Sequence, residues 1–325
     1  MKNLILTSSS GLSLMLADRA DVVIPFFFRF VWGPLPSPHE LATWVATRSD
    51  KHGPGSHWSD DVAFPEAEEA GSGLGLVDFC ERYDAIELWF DPSPNDQLLL
   101  VWLLDYLRSY PEIVARLKLF IVTFDLLGAD IEGLRSWAVR DVDVGQGELQ
   151  AAFTAWHAYR ASTPEACFDL LESDLSALPM FRRALLELLD ELPSTTTGLG
   201  SSEMRLLALM ARGYSSASSL FTRAGLGRPS IFQEFELGSL LEGLAQGSEP
   251  AVSGLDDQLP SLRGNHSQER LNAYHRSRPL LTAFGRAVLA YNEDFSRHNA
   301  IDRWWGGTRL TNDRLWRYGS VLTKP

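Results

Sequence analysis

The sequence is poor in cysteine: its 325 residues include only Cys80 and Cys167. Neither has a second cysteine at metal-ligand spacing, which argues against a disulfide-built scaffold and against a zinc finger. Long hydrophobic runs are also lacking, since none reaches the ~18 residues that a membrane-spanning helix needs. The opening MKNLILTSSS has one Lys and a short apolar core, so we expect no signal peptide. These absences predict a cytoplasmic protein that does not act in a membrane.

Basic residues are few relative to acidic ones. The chain has 29 Lys and Arg against 42 Asp and Glu, for a net charge of -13. Residues 1–194 carry -16 of this charge, whereas residues 195–325 carry +3. An acidic body repels phosphate backbones, so we predict weak nucleic-acid binding or none. The asymmetry suggests separate roles for the two parts, although ordinary surface charge explains it equally well.

The length suggests more than one domain. Residues 1–145 alternate short apolar runs with amphipathic segments, and this alternation predicts an α/β domain with a mostly parallel sheet in a three-layer arrangement. The predicted strands are residues 4–6, 22–28, 85–90 and 119–124. Residues 50–75 are rich in Gly, Ser and acid, and we expect a loop there.

A helical connector is predicted over residues 146–195, followed by a winged-helix-like domain over residues 196–325. Three helices are expected at 203–212, 215–224 and 230–246, the third beginning with Pro229-Ser230-x-x-Gln233. The polar segment 254–278 has the character of a wing, and Thr282 is expected to cap a last helix. The third helix carries Glu234, Glu236 and Glu242 and no Lys or Arg, which argues against reading of the DNA major groove. A protein partner or a homodimer is the alternative use of such a domain.

Candidate ligand-binding residues follow the first and third predicted strands. Ser8-Ser9-Ser10-Gly11 comes between a strand and a helix, where N–H groups, hydroxyls and the helix dipole could hold a small anion. A serine cap in a short turn is the structural alternative. The segment has neither the Gly-Lys-Ser/Thr of a Walker A loop nor a G-x-G-x-x-G motif. Asp91 ends another strand, at the edge where α/β proteins bind ligands, although Asp91-Pro92 is also a typical turn. Asn95 or Asp96 is expected to cap the next helix.

Other polar and aromatic residues give weaker indications. His52 and His57 occur with Asp60 and Asp61 in the loop segment, but no regular element fixes their geometry, and we predict no metal site. Trp304-Trp305-Gly306-Gly307 is either a stacking platform or a tail that packs onto the body. We predict no cofactor, because no cofactor-binding motif is present, and whether the protein is an enzyme stays open.

Several phrases together resemble a bacterial family, the domain of unknown function 1835 (DUF1835) family. The resemblance covers most of the chain and implies an α/β amino-terminal part and a winged-helix-like carboxyl-terminal part. It implies no established activity. Its carriers are Ile86-Glu87-Leu88-Trp89-Phe90, Asp96-Gln97-Leu98, Trp156-x-x-Tyr159-Arg160, Leu178-Pro179, Leu192-Pro193-Ser194-x-x-x-Gly198-Leu199, Ser202 to Arg212, Leu281-Thr282-x-x-Gly285-x-x-Val288-Leu289, Ile301-Asp302-Arg303-Trp304-x-Gly306-Gly307 and Leu315-Trp316-Arg317.

The chain departs from that family at two places. Where members have Asn-Gly-Asp-Ser after the first strand, this chain has Thr7-Ser8-Ser9-Ser10-Gly11. Where members have Arg-Asp-Asp-Leu, it has Phe27-Phe28-Arg29-Phe30, with the following Gly33-Pro34 retained. We include Arg29 and Gly33 among the candidate ligand-binding residues. If the missing acids form a site in relatives, that site is altered here.

Three functions are compatible with this sequence. The first is a sensor or regulator whose α/β domain binds a small anion or nucleotide-like ligand and whose back domain contacts a partner. The second is an enzyme that acts on a nucleotide-like or phosphorylated substrate at the strand ends. The third is a protein-interaction or dimerisation module that does not bind DNA.

Overall fold

The chain folds into two compact units. In the computed structural model the described residues are 1–12, 14, 18–60, 62, 69, 71–136, 138–225, 231–255 and 267–325. Unit 1 comprises Met1–Phe30, Leu35–Arg160 and Asp169–Leu185. Unit 2 comprises Val31–Pro34, Ala161–Phe168 and Leu186–Pro325.

Unit 1 contains a five-stranded, mostly parallel sheet, which confirms the expected mixed α/β fold. The strands are β1 (Asn3–Ser8), β2 (Val22–Phe26), β3 (Ala85–Trp89), β4 (Leu117–Phe120) and β5 (Asp141–Asp143), in the order β2-β1-β3-β4-β5. The first four strands are parallel, and β5 pairs antiparallel with β4. The fourth strand begins and ends earlier than the predicted 119–124, and the short β5 was not predicted.

Strand β1, which lies between β2 and β3, is covered on both faces. Leu4 pairs with Val22 on one side and with Ile86 on the other, and all three side chains are buried. Alternate residues of a strand point to opposite faces, so Ile5 lies on the other face. There Ile5 is part of a buried apolar cluster with Trp89.

Helices surround this sheet. Ser37 and Ser93 cap the helices α1 and α3 by accepting hydrogen bonds from Glu40 N and Asp96 N, and each of these helices begins with a proline. Among the described residues, unit 1 contains the α-helices α1 (Pro38–Val45), α2 (Leu76–Cys80), α3 (Pro94–Leu107), α4 (Pro111–Val114), α5 (Ile131–Ser136) and α6 (Gln146–Tyr159). Short 3-10 helices cover Ser9–Leu12 and Leu170–Glu172. Helix α6, which the sequence assigned to a connector, packs along α3 within unit 1.

The glycine-rich segment 50–75 has a well-packed part. His57 and Trp58 are buried, and the Trp58 indole N–H donates to Leu74 O at 3.0 Å. The His57 ring lies 2.9 Å from Ala46 O and 2.7 Å from Ser59 Oγ. These contacts fasten the segment to the end of α1.

The remaining elements are mostly helical. Helices α7 (Glu165–Asp169) and α8 (Phe181–Leu189) each cross a boundary between the units. Unit 2 then contains α9 (Ser201–Ala211), α10 (Ala217–Ala224), α11 (Glu234–Ala245), β6 (Val252–Ser253), α12 (Gln268–Arg276), β7 (Leu280–Leu281), α13 (Ala283–Leu289), β8 (Asp302–Trp305), β9 (Thr308–Thr311), β10 (Arg317–Tyr318) and β11 (Leu322–Thr323), with 3-10 helices at Phe295–Arg297 and Asn312–Arg314. The strand pairs β6–β7, β8–β9 and β10–β11 are antiparallel.

Helix α9 packs against α10, α11 and α13. Thr282 caps α13 as predicted, because its hydroxyl accepts from Gly285 N at 3.0 Å. A side chain at position 285 would collide with Ala251 O, so the glycine permits a close approach of α13 to the segment before β6.

Two local expectations in unit 2 are wrong. Helix α11 has its N-cap at Gln233, whose N–H donates to Glu236 at 2.7 Å, instead of beginning at Ser230, which lies outside the described residues. The segment expected to be irregular contains α12, which Ser267 caps and whose Tyr274 is completely buried. None of the described helices combines the length and the hydrophobicity that crossing a membrane requires.

Candidate functional site

The candidate site lies at the carboxyl ends of β1 and β3. These strands are parallel neighbours in the sheet order β2-β1-β3. The chain runs from β1 to β2 on one side of β1, and then crosses to β3 on the other side. Ligands of open α/β sheets bind at this kind of reversal, in the crevice beyond the strand ends. Ser8 is the last residue of β1, and Asp91 follows the end of β3.

Four side chains meet there, and we call them the strand-end cluster: Ser8, Ser10, Asp91 and Asp96. The Ser8 hydroxyl donates to Asp96 Oδ2 at 2.5 Å, and Ser10 N donates to Ser8 Oγ at 3.2 Å. Asp96 also hydrogen-bonds with the side chains of Ser10 and Asp91. Ser8, Asp91 and Asp96 are each less than 5% exposed. The cluster therefore joins the end of β1 to the first turn of α3.

The buried position of Asp96 changes the pKa of its carboxyl group. Burial above all, and then the nearby charge of Asp91, raises the pKa of Asp96 to about 8, against which hydrogen bonds from Ser8 and Ser10 act. Asp96 is thus mostly protonated at neutral pH, beside its hydrogen-bonded neighbour Asp91. A neutral acid beside a second carboxyl group can donate and accept hydrogen bonds at the same place.

The amino-terminal end of α3 is occupied by groups of the protein itself. Ser93 N donates to Asp91 Oδ1 at 2.9 Å, and Gln97 Nε2 donates to Asp91 O at 2.8 Å. Free N–H groups at a helix start attract anions, but here the Asp91 carboxylate already fills that role. A phosphate at the same position would meet this carboxylate at close range.

Asn95 ties the segment after β2 to the same end of α3. Its Oδ1 accepts from Phe30 N at 2.9 Å, and its Nδ2 donates to Phe28 O at 3.0 Å. Asn95 is 5% exposed, so these bonds satisfy an otherwise costly buried amide. Arg29 lies between the two bonded residues and is half-buried.

The structure brings together some of the sequence-predicted site residues and separates others. Ser8, Ser10 and Asp91 meet in the strand-end cluster, while Ser9 begins the 3-10 helix beside it. Gly11 is buried, and a side chain there would collide with Thr7, so packing alone explains this glycine. Gly33, with a φ of 70°, belongs to unit 2.

Asp96 and Asn95 are the site residues that the sequence reasoning missed. Both were considered only as caps for the next helix, a role that Ser93 fills instead. The signal that could have found Asp96 is a second acid placed five residues after Asp91, across the turn from β3 to α3.

His52 and His57 contact atoms of the protein itself, and Cys80 and Cys167 are buried. His52 Nε2 lies 2.8 Å from Thr43 O, and the His57 ring contacts backbone and Ser59 as described. Within the described ranges, no group of three or more His, Cys, Asp or Glu side chains is arranged to hold a metal ion. Asp61 lies outside those ranges. Burial raises the pKa of both cysteine thiols, and neither is a reactive thiolate.

The tryptophans of the carboxyl-terminal segment divide between core and surface. Trp305 is 5% exposed and its indole N–H donates to Leu188 O at 2.7 Å, while Trp316 is 8% exposed. Trp304 is 37% exposed. The packed-tail interpretation therefore holds for two of the three rings.

A comparison with models of known protein families finds no match for this chain, and a comparison with curated proteins finds none either. The resemblance to the DUF1835 family stays a prediction.

Proposed function

We propose that unit 1 binds a small ligand of the nucleoside or nucleotide class at the strand-end cluster, and that the protein acts as a ligand-responsive regulator. The observation that carries this proposal is the buried Ser8–Asp96–Asp91 arrangement at the reversal point of a parallel sheet. Buried, polar, titratable groups are costly for stability, and such groups concentrate at functional sites.

The chemistry of the cluster favours a ligand that offers hydrogen-bond donors. Asp91 and Asp96 supply acceptor oxygens, and the Asp91 carboxylate repels a bare anion. The two hydroxyls of a ribose fit such a pair of carboxyl groups, because both hydroxyls can donate to carboxyl oxygens and one of them can accept from the protonated Asp96. A phosphate carried by the same ligand would be directed away from Asp91, toward the turn at Ser9 and Ser10.

For unit 2 we propose a winged-helix-like interaction domain. Its three helices α9, α10 and α11, followed by the antiparallel pair β6–β7, support this interpretation. Glu234, Glu236 and Glu242 on α11 make DNA an unfavourable partner, so the partner is a protein or a second copy of this chain.

Calorimetry with matched ligands tests the binding proposal. Adenosine and guanosine should bind, whereas their 2′,3′-dideoxy counterparts and inorganic phosphate should bind far more weakly. Asp96→Asn and Ser8→Ala should each weaken nucleoside binding roughly tenfold, as expected for loss of one buried hydrogen-bond partner. Asp143→Asn is the control, because Asp143 is an exposed acid of the same unit. Equal binding of ribose and dideoxyribose forms would refute the assignment of the hydroxyls.

A hydrolytic or transfer enzyme is the second candidate, and the raised pKa of Asp96 favours it. A protonated acid beside a second carboxyl group is the arrangement of general acid and base catalysis. The same nucleotides incubated with the protein should then be turned over, with activity lost in Asp96→Asn. Binding without turnover over long incubation leaves the regulator as the function.

A further inference from the structure

A cavity of about 250 Å³ opens among α1, α3 and α6 in unit 1. Its lining is mainly apolar, and no residue of the strand-end cluster contributes to it. Two rings, Trp102 and Trp156, line it together with Leu41 and Tyr106. The volume is below the ~300 to 1,000 Å³ of sites for drug-sized ligands, so the occupant must be small, about one ring with a short chain.

An acid lies at one side of this cavity. Burial raises the pKa of Asp105, whose Oδ2 is 4.0 Å from His157 Nε2. Its Oδ1 is buried and accepts no hydrogen bond from the described residues, although Arg108 Nε lies 3.1 Å away without hydrogen-bond geometry. The Asp105 side chain lines the cavity and keeps 18% of its surface exposed, so a donor from a ligand can reach this partly desolvated carboxyl group.

A guanidinium group also lines the cavity. Arg160 Nη1 donates to Pro36 O at 3.1 Å, and the guanidinium carbon is 5.5 Å from the centre of the Trp156 ring. Burial lowers the pKa of Arg160, yet an arginine stays charged at neutral pH. Its remaining N–H donors match a carboxylate, which it can bind through two hydrogen bonds.

We propose that this cavity binds a free aromatic amino acid or a close zwitterionic analogue. The ring packs against Trp102 and Trp156, the carboxylate pairs with Arg160, and the ammonium group donates to Asp105. A purely apolar occupant would bury Asp105 and Arg160 without new partners, which costs free energy. A simple carboxylate would leave Asp105 opposed to it, and a simple amine would leave Arg160 opposed to it. Only a ligand with both charges satisfies both sides.

Titration calorimetry of the full chain with three probes tests this assignment. L-Phenylalanine carries both charged groups, 3-phenylpropionate lacks the ammonium group, and phenethylamine lacks the carboxylate. L-Phenylalanine should bind at least roughly tenfold more tightly than either of the others, since each lost charge-assisted hydrogen bond weakens binding by about that factor or more. Equal binding of all three, or binding of none at millimolar concentration, overturns the proposal.

Two substitutions separate the roles of the charged residues. Arg160→Gln should remove the preference for L-phenylalanine over phenethylamine, and Asp105→Asn should remove its preference over 3-phenylpropionate. Asp143→Asn, at an exposed acid of the same unit, should leave all three affinities unchanged. Because no residue of the strand-end cluster lines this cavity, a failure of the nucleoside proposal does not affect this result. Thermal melting establishes that each variant is folded. If a variant does not fold, the three probes on the unchanged protein still decide.

Discussion

The Ser8 hydroxyl lies 2.5 Å from Asp96 Oδ2, and this contact joins two residues that are 88 positions apart in the sequence. It places a protonated carboxyl group at the end of β1. A buried acid with a raised pKa has measurable consequences for stability, because the unfolded chain ionises at a lower pH than the folded one.

The contribution of Asp96 to the free energy of unfolding should fall as pH rises from about 4 to about 8. The pKa of Asp96 is raised in the folded state, so its contribution is fully present below the unfolded value of ~3.9 and is lost as pH rises through about 8. The contribution of Asp96 to the free energy of unfolding changes by at most about 1.4 kcal/mol per pH unit. Urea unfolding measured across this pH range, in wild type and in Asp96→Asn, checks the expectation.

In Asp96→Asn that part of the slope should disappear, because an amide does not titrate. Asp143→Asn serves as the control, and its pH profile should parallel the wild type. If the free energy of unfolding of Asp96→Asn changes with pH as steeply as that of the wild type, Asp96 is ionised in the folded protein at neutral pH.

Trp305→Ala should lower the free energy of unfolding by about 3 to 5 kcal/mol, the usual cost of truncating a buried large aromatic side chain. The ring is 5% exposed and donates its N–H to Leu188 O. Trp304→Ala is the matched control, since that ring is 37% exposed and its loss should cost far less. Equal losses in the two variants, measured by urea unfolding, would contradict the packed-tail interpretation.

Gly285→Ala should destabilise the protein by about 1 to 3 kcal/mol, because the new methyl group would overlap Ala251 O. Gly243→Ala provides the comparison on helix α11, where nothing lies within 4 Å of the new carbon. Alanine there should stabilise by about 0.5 to 1 kcal/mol, since glycine is the poorer helix former. Melting temperatures of the two variants should therefore move in opposite directions.

Random duplex DNA should bind weakly or not at all at physiological salt. The net charge is -13, and Glu234 and Glu236 lie in the first turn of α11. Fluorescence anisotropy over a range of salt concentrations is the measurement. Sub-micromolar binding that weakens steeply as salt rises, as counterion release requires, would contradict this prediction and make DNA a partner of the protein.

The parallel sheet and the position of Asp91 could be predicted because they depend on local pattern. Short apolar runs that end in polar turns mark the strands, and carboxyl ends of parallel strands share one edge. Asp96 could not be assigned in the same way. Its partner Ser8 comes from a distant part of the chain, and only the folded sheet brings the two together.

The short elements β5 and α12 were not predicted, for a different reason. Strand β5 has the sequence Asp-Val-Asp, in which only the valine favours a strand, and its backbone pairs with β4. Helix α12 occurs in a stretch of low hydrophobicity, and one completely buried residue, Tyr274, fixes it to unit 2. Tertiary contacts decide such elements, and periodicity does not show them.

The division of the chain into interleaved segments has a consequence for biosynthesis. Unit 1 ends at Leu185, and unit 2 includes Val31–Pro34 as well as the last 140 residues. On the ribosome, unit 1 lacks its final segment until position 185 has emerged, and by then residues 31–34 and 161–168 have been made without most of their unit. A continuous stretch of gene that encodes either unit completely therefore also encodes residues of the other unit.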